Sequence, residues 1–136
     1  MIKPTVLIID DSEDEVLLTK TVLSRISQDI RAEVAFSGHE GLMHLQQGKT
    51  MPKLVLLDLK MPLMDGIEVL HRIRCEEGTA CLPVIIVTNS DLESDRQAAI
   101  EAGANGYLHK SCDLQQFRKD LAIGIQCWIN AKNPQG

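Results

Sequence analysis

Two runs of four apolar residues, Val6-Leu7-Ile8-Ile9 and Val84-Ile85-Ile86-Val87, constrain this chain more than any other feature. A strand with one wet face alternates apolar and polar side chains, and these runs do not alternate. Continuous branched aliphatics of this length suit strands covered on both faces by helices, which is the environment of a parallel sheet. A third run, Leu54 to Leu57, is of the same kind, and weaker ones lie at Ala32 to Phe36 and Gly106 to Leu108. Between them stand segments with helical spacing: Leu18, Val22 and Ile26; Leu42 and Leu45; Leu70 and Ile73; Ala98, Ala99 and Ala102. A last helix is marked by Leu114, Phe117, Leu121, Ile125 and Trp128, a stripe assigned to the core. The expected fold is α/β, a (βα)5 chain forming an open, doubly wound, five-stranded parallel sheet. One domain over 1–131 is expected, followed by a loose tail at 132–136.

Composition narrows the function classes. Of 136 residues, 14 are Lys or Arg and 19 are Asp or Glu, so the net charge is 14 − 19 = −5. No basic stripe exists to neutralise phosphates, which argues against nucleic acid as a direct partner. No apolar stretch approaches the roughly 20 residues of a membrane helix. Met1-Ile2-Lys3-Pro4 runs straight into the first apolar segment without a secretory-type core, so a cytoplasmic location is expected. Cys75, Cys81, Cys112 and Cys127 show no C-x-x-C spacing and are read as reduced thiols. The histidines show no metal-binding spacing.

Open parallel sheets carry their sites at the carboxyl ends of the strands. The residues there are Asp10-Asp11, Asp58, Thr88 and Lys110. Ser12-x-x-Glu15 has the form of a capping box, with Glu13 and Asp14 complementing the dipole of the first turn, and none of these needs a further role. Asp10 and Asp11 precede the cap at the mouth of a buried strand, where like charges ~4 Å apart repel by several kcal/mol at intermediate dielectric. A cation should balance them. Carboxylates with room for water and a phosphate suit Mg²⁺. Asp58 abuts an apolar strand, which is costly unless the carboxylate is paired or metal-bound, and it can act as a nucleophile toward phosphorus. Asp65 is an N-cap, and Ser90-x-x-Glu93 has the form of another capping box. Thr88 and Lys110 add a hydroxyl and an ammonium to the same rim, the parts needed to bind a phosphoryl group during transfer.

Taken with their context, these residues resemble a response-regulator receiver domain of two-component signalling. The motifs are Ile8-Ile9-Asp10-Asp11-Ser12, Leu57-Asp58-Leu59-Lys60-Met61-Pro62-Leu63-Met64-Asp65-Gly66, Val87-Thr88, and Gly103-Ala104-Asn105-Gly106-Tyr107-Leu108-His109-Lys110. The resemblance covers residues 5 to about 130. It implies a flavodoxin-like receiver fold and a non-enzymatic phosphoacceptor that takes a phosphoryl group from a sensor histidine kinase on Asp58. It further implies that Asp10, Asp11 and Asp58 hold Mg²⁺ together with the backbone carbonyl of Lys60. Thr88 and Lys110 resemble the phosphate-sensing hydroxyl and amine, and Tyr107 the switch aromatic. Two departures stand out: Ser111 replaces the proline that commonly follows the lysine, and Asn89 replaces a small residue after the threonine. With the late Trp128, they look more like the stand-alone receivers that accompany bacterial phytochrome kinases than like the chemotaxis type.

Such a regulator signals through phosphorylation-dependent protein contacts, with a downstream protein or phosphotransfer partner. Ile123 and Cys127, at i and i+4 and offset from the core stripe, offer an apolar strip for such a partner or for a homodimer through the C-terminal helix region. In the resembling family the positions of Lys60 and Ser90 tune self-hydrolysis. Lys60 has only donors and cannot orient a water as an acceptor, so slow self-dephosphorylation is expected. Two alternatives share the architecture. A flavodoxin-like cofactor-binding module needs a phosphate cradle after the first strand, where this chain places Asp11, Glu13 and Asp14. An aspartyl-phosphate phosphatase carries an acid two residues beyond its nucleophile, where this chain has Lys60.

Overall fold

The computed structural model describes residues 4–48, 51–110 and 113–129. Strands and helices alternate: β1 (Thr5–Ile9), α1 (Glu13–Ile26), β2 (Arg31–Ala35), α2 (Gly38–Gln47), β3 (Leu54–Leu57), α3 (Gly66–Cys75), β4 (Val84–Thr88), α4 (Glu93–Glu101), β5 (Gly106–His109) and α5 (Leu114–Ile129). All five strands are parallel, in the order β2-β1-β3-β4-β5. The expected (βα)5 sheet is the one observed. The three continuous apolar runs became β1, β3 and β4, buried at every position. β2 and β5 are the edge strands, with only Ala35 buried in the first and no residue fully buried in the second, which is why their patterns are weaker than those of the central three.

Because side chains of a strand point alternately to opposite faces, each central strand feeds two cores. Leu7, Ile9, Val55, Leu57, Val84 and Ile86 face one core, capped by Leu45, Val69, Leu70, Ile73 and Ala99 of α2, α3 and α4. Val6, Ile8, Leu54, Leu56, Ile85 and Val87 face the other, closed by Val16, Val22, Leu23, Phe117, Leu121 and Ile125 of α1 and α5. The α5 stripe is narrower than its spacing predicts. Phe117, Leu121 and Ile125 are buried, Trp128 is half-buried, and Leu114, the first residue of the helix, is 53% exposed.

Four helices begin on side-chain caps. Ser12 accepts from Glu15 N (3.3 Å), Ser37 from Glu40 N (3.0 Å), Asp65 from Glu68 N (3.0 Å) and Asp113 from Gln116 N (3.2 Å), each satisfying a first-turn N–H. The capping box expected at Ser90 does not form. α4 starts after Leu92 with no side-chain cap, and Ser90 is engaged elsewhere. Arg74 is a hub that pattern reasoning missed: its guanidinium donates to the carbonyls of Gly103, Ala80 and Leu82 and to Asn105 Oδ1. It thereby ties the end of α3 to the approaches of β4 and β5. Gly103, at φ +103°, takes the left-handed conformation there, and a Cβ would meet the Arg74 side chain at 2.9 Å. The Lys110–Ser111 peptide bond and the tail at 132–136 lie outside the described residues.

Candidate functional site

The order β2-β1-β3 places a topological switch point between β1 and β3, where the chain turns to opposite sides of the sheet. Register does the rest. Ile9 pairs with Leu57 and Leu57 with Ile86, so Asp10 and Asp58 leave adjacent strands at the same level. Both backbones stay tied to the sheet: Asp58 N donates to Ile9 O at 2.9 Å and Asp10 N to Ala35 O at 3.1 Å. Lys110 is held on the far side by its own N–H, which donates to Thr88 O at 2.6 Å. Gly66 allows α3 to start against this rim. A Cβ at that position would fall 2.3 Å from Asp58 O, and Gly66 N donates to Leu59 O at 2.8 Å.

At the centre of the rim the Lys110 ammonium, 9% exposed, meets three carboxylates. It donates to Asp10 Oδ2 at 3.0 Å and to Glu15 Oε2, and stands 3.8 Å from Asp58 Oδ1. Asp10, Glu15 and Asp58 present ligand oxygens that all lie within 4.8 Å of one another. Three negative charges around one positive charge leave the pocket short of cationic charge. Burial pushes the Asp58 carboxyl up to about 6, with the negative charges of Asp10 and Glu15 adding to the rise and Lys110 opposing it. Burial likewise raises Asp10 against the pull of the Ser12 N–H and Lys110. Glu15 is also raised by burial, but its hydrogen bond and ion pair with Lys110 outweigh that and hold it below the ordinary carboxylate range. Lys110 itself is raised, because its bond to Glu15 and the charges of Asp58 and Asp10 overcome desolvation. An oxygen-only set with unbalanced negative charge fits a hard divalent cation.

The structure revises the acidic run in one respect. Glu15 is more than a first-turn acid: its carboxylate crosses to Lys110 and accepts from Asn89 Nδ2 at 3.1 Å. The reciprocal arm of its capping box is taken by Asp10, whose Oδ1 accepts from Ser12 N at 3.0 Å. Glu15 is therefore free to serve the site. Asp11, in contrast, is exposed and stands outside the set that the structure gathers.

Thr88 is fully buried at the end of β4, its hydroxyl accepting from Ser90 N at 3.2 Å. Tyr107 is half-buried on β5 and donates its hydroxyl to Ser90 O at 3.0 Å. Lys60, two residues past Asp58, points away from the carboxylate cluster to Asp95 of α4, at 3.2 Å.

Comparison with known proteins agrees with this geometry. The family model described as the response regulator receiver domain matches residues 6–122. Response regulator Rcp1 of Synechocystis is 33% identical over 130 residues, covering 91% of this chain and 88% of that protein. The crystal structure of the phosphorylated cyanobacterial phytochrome response regulator RcpA superposes with a TM-score of 0.89 at 25% identity, covering 96% of this chain and 98% of that one. The Mn²⁺-bound form of Rcp1 superposes at 0.85 with 31% identity, covering 96% and 97%. Proteins of this kind work with histidine kinases, and an acidic pocket able to hold a divalent cation is in place here. No helix among the described residues is long and apolar enough to cross a membrane. The chain belongs to the response regulator receiver domains: it is a phosphoacceptor of two-component signalling and not an enzyme.

Proposed function

We propose that Asp58 accepts the phosphoryl group from a phosphohistidine of a sensor histidine kinase, with Mg²⁺ as the cofactor. The observation that carries this reading is the buried Asp58 carboxylate, 3.8 Å from Lys110 Nζ and beside Asp10 and Glu15 at the switch point of the sheet. Asp10, Asp58 and the Lys60 carbonyl, with Asp11 or Glu15 completing the set, would hold the ion. When bound, it neutralises the carboxylates and the incoming phosphoryl oxygens. An Asp58 oxygen attacks phosphorus, and the bond to the kinase histidine breaks with its electron pair returning to the imidazole. Lys110 stabilises charge on the transferred group, and Thr88 is the hydroxyl placed to bind it. Movement of Thr88 would pull on Ser90 N, and Ser90 O holds the Tyr107 hydroxyl, so a shift at the site reaches the surface aromatic directly. Rcp1 and RcpA, the latter named as a phytochrome response regulator, support a phytochrome-type kinase as the donor. Incubation with Mg²⁺ and a small acyl phosphate should add one phosphoryl mass to the wild type and none to Asp58→Asn. Equal mass gain in both would overturn the assignment.

A second copy of the chain is the proposed contact partner through α5. Ile123 is 68% exposed and Cys127 is exposed, one turn apart. Sedimentation should show a dimer that Ile123→Glu weakens; a monomer with and without phosphorylation removes this part of the reading.

A further inference from the structure

Asp95 is the third residue of α4, yet its carboxylate works outside its own helix. Oδ2 accepts from the Ser90 hydroxyl, and the Lys60 ammonium lies 3.2 Å from Oδ2 and 3.4 Å from Oδ1. Ser90 is fixed on every side. Its N–H donates to Thr88 Oγ1, its carbonyl accepts from Tyr107, and its hydroxyl accepts from Leu92 N at 3.3 Å. One carboxylate thus joins the segment that follows Asp58, through Lys60, to the segment that follows Thr88, through Ser90.

We propose that Asp95 is a positioning residue that sets the lifetime of the aspartyl phosphate by holding Lys60 and Ser90 together beside the phosphoryl group. The inference rests on Asp58 being the phosphoacceptor. In hydrolysis a water oxygen attacks phosphorus while the P–O bond to Asp58 breaks, its electron pair returning to the carboxylate. Inorganic phosphate departs, and the proton lost by the water goes to solvent. The attack must come in line with the breaking bond, and an acceptor that aims the water accelerates it. The Ser90 hydroxyl gives its proton to Asp95 and accepts from Leu92 N, and the Lys60 ammonium is drawn to the same carboxylate. Both side chains are drawn to that carboxylate rather than to an incoming water, and together they brace the approach. A first-turn acid that only complements the dipole of α4 needs no such partners, and Glu93 already stands in that turn. The hydrogen bond from Ser90, with Lys60 adding to it, holds the Asp95 carboxyl below its ordinary range, so it stays ionised at neutral pH.

The test follows phosphate mass with time after loading with acyl phosphate and Mg²⁺ and removing the donor. Asp95→Ala should take up phosphate normally and lose it about three- to fivefold faster than the wild type, the size expected for an exposed ion pair acting on a barrier. Asp95→Asn, which keeps the shape of the side chain, should also speed loss, and Asp95→Glu should restore the slow rate. In a Lys60→Met, Ser90→Ala background, which removes both partners, the Asp95→Ala effect should largely vanish, which a purely helix-stabilising role does not predict. Uptake followed by loss at the wild-type rate, or full additivity with that double background, overturns the inference alone. A wild type that takes up no phosphate overturns the phosphoacceptor reading and this inference with it.

Discussion

Two lysines stand on the same rim of the sheet and both pair with carboxylates, yet they sit in different dielectrics. The Lys110 side chain is 9% exposed and faces Asp10, Glu15 and Asp58; that of Lys60 is 64% exposed and faces Asp95 alone. Two unit charges 4 Å apart attract by ~4 kcal/mol at an effective dielectric of 20 and by ~1 kcal/mol in water. Lys110 therefore governs the charge balance of the rim, whereas Lys60 contributes little energy and acts through where it is held. The same contrast separates stability from kinetics: perturbing the buried lysine should unfold or recharge the site, and perturbing the exposed one should change a rate.

Removal of the buried cation should have the largest effect. Lys110→Met leaves three carboxylates without their partner, and breaking a buried pair by deleting one side costs ~3–5 kcal/mol. Urea melts at pH 8 without metal should show a loss of that size. Millimolar Mg²⁺ should recover part of it, because a bound cation stabilises only the native state. A variant as stable as the wild type would mean that Lys110 does not balance the pocket.

The reverse experiment keeps Lys110 and removes one negative charge. Asp58 has a native pKa of about 6 against an ordinary 3.8. Since the folded state binds the proton more tightly than the unfolded chain, stability falls as pH rises from about 4 to 6 and then levels. The difference of about two units corresponds to a destabilisation of up to ~3 kcal/mol above pH 6. Asp58→Asn should therefore match the wild type near pH 4 and exceed it at pH 8 when metal is absent, with Mg²⁺ narrowing the gap. An Asn variant less stable than the wild type at pH 8 would show that Lys110 already overcompensates the ionised cluster.

The buried half of this contrast was legible in the sequence, and the exposed half was not. Asp10, Asp58 and Thr88 end buried apolar runs and Lys110 follows the partly buried edge strand β5, so strand pattern and parallel order suffice to bring them to one edge. The run at β2 was read one residue late because an edge strand carries few buried side chains. Glu15 was read only as a cap because its local role explains it, and nothing local reveals that Asp10 takes the Ser12 N–H and releases its carboxylate. Ser90 failed in the opposite way: its spacing to Glu93 imitates a capping box, but α4 begins at Glu93 itself and Asp95 captures the hydroxyl. Arg74 acts through backbone carbonyls as far as 29 residues away, and carbonyls have no sequence signature. Side chains whose partners are fixed by the sheet can be read in advance, and those that choose among several neighbours on a loop cannot.

The smallest expected effect is the sharpest test of the contrast. Lys60→Ala removes an ammonium that is mostly in water, and exposed pairs of this kind contribute ~0.2–1 kcal/mol. Its loss frees the Asp95 carboxylate, which still accepts from Ser90 and still lies in the first turn of α4, where a negative charge is favourable. These two stabilising contacts survive, so the net change in a urea melt should stay near ~0.5 kcal/mol, shrinking further in 0.5 M salt, where the Debye length is only ~4 Å and exposed charges are strongly screened. Lys110→Met should keep most of its cost in the same salt, since buried charges are screened much less. Measuring both variants at low and high salt decides the matter. If Lys60→Ala costs as much as Lys110→Met, or if salt erases both costs alike, burial does not distinguish the two lysines and the division between a charge-balancing and a positioning role collapses.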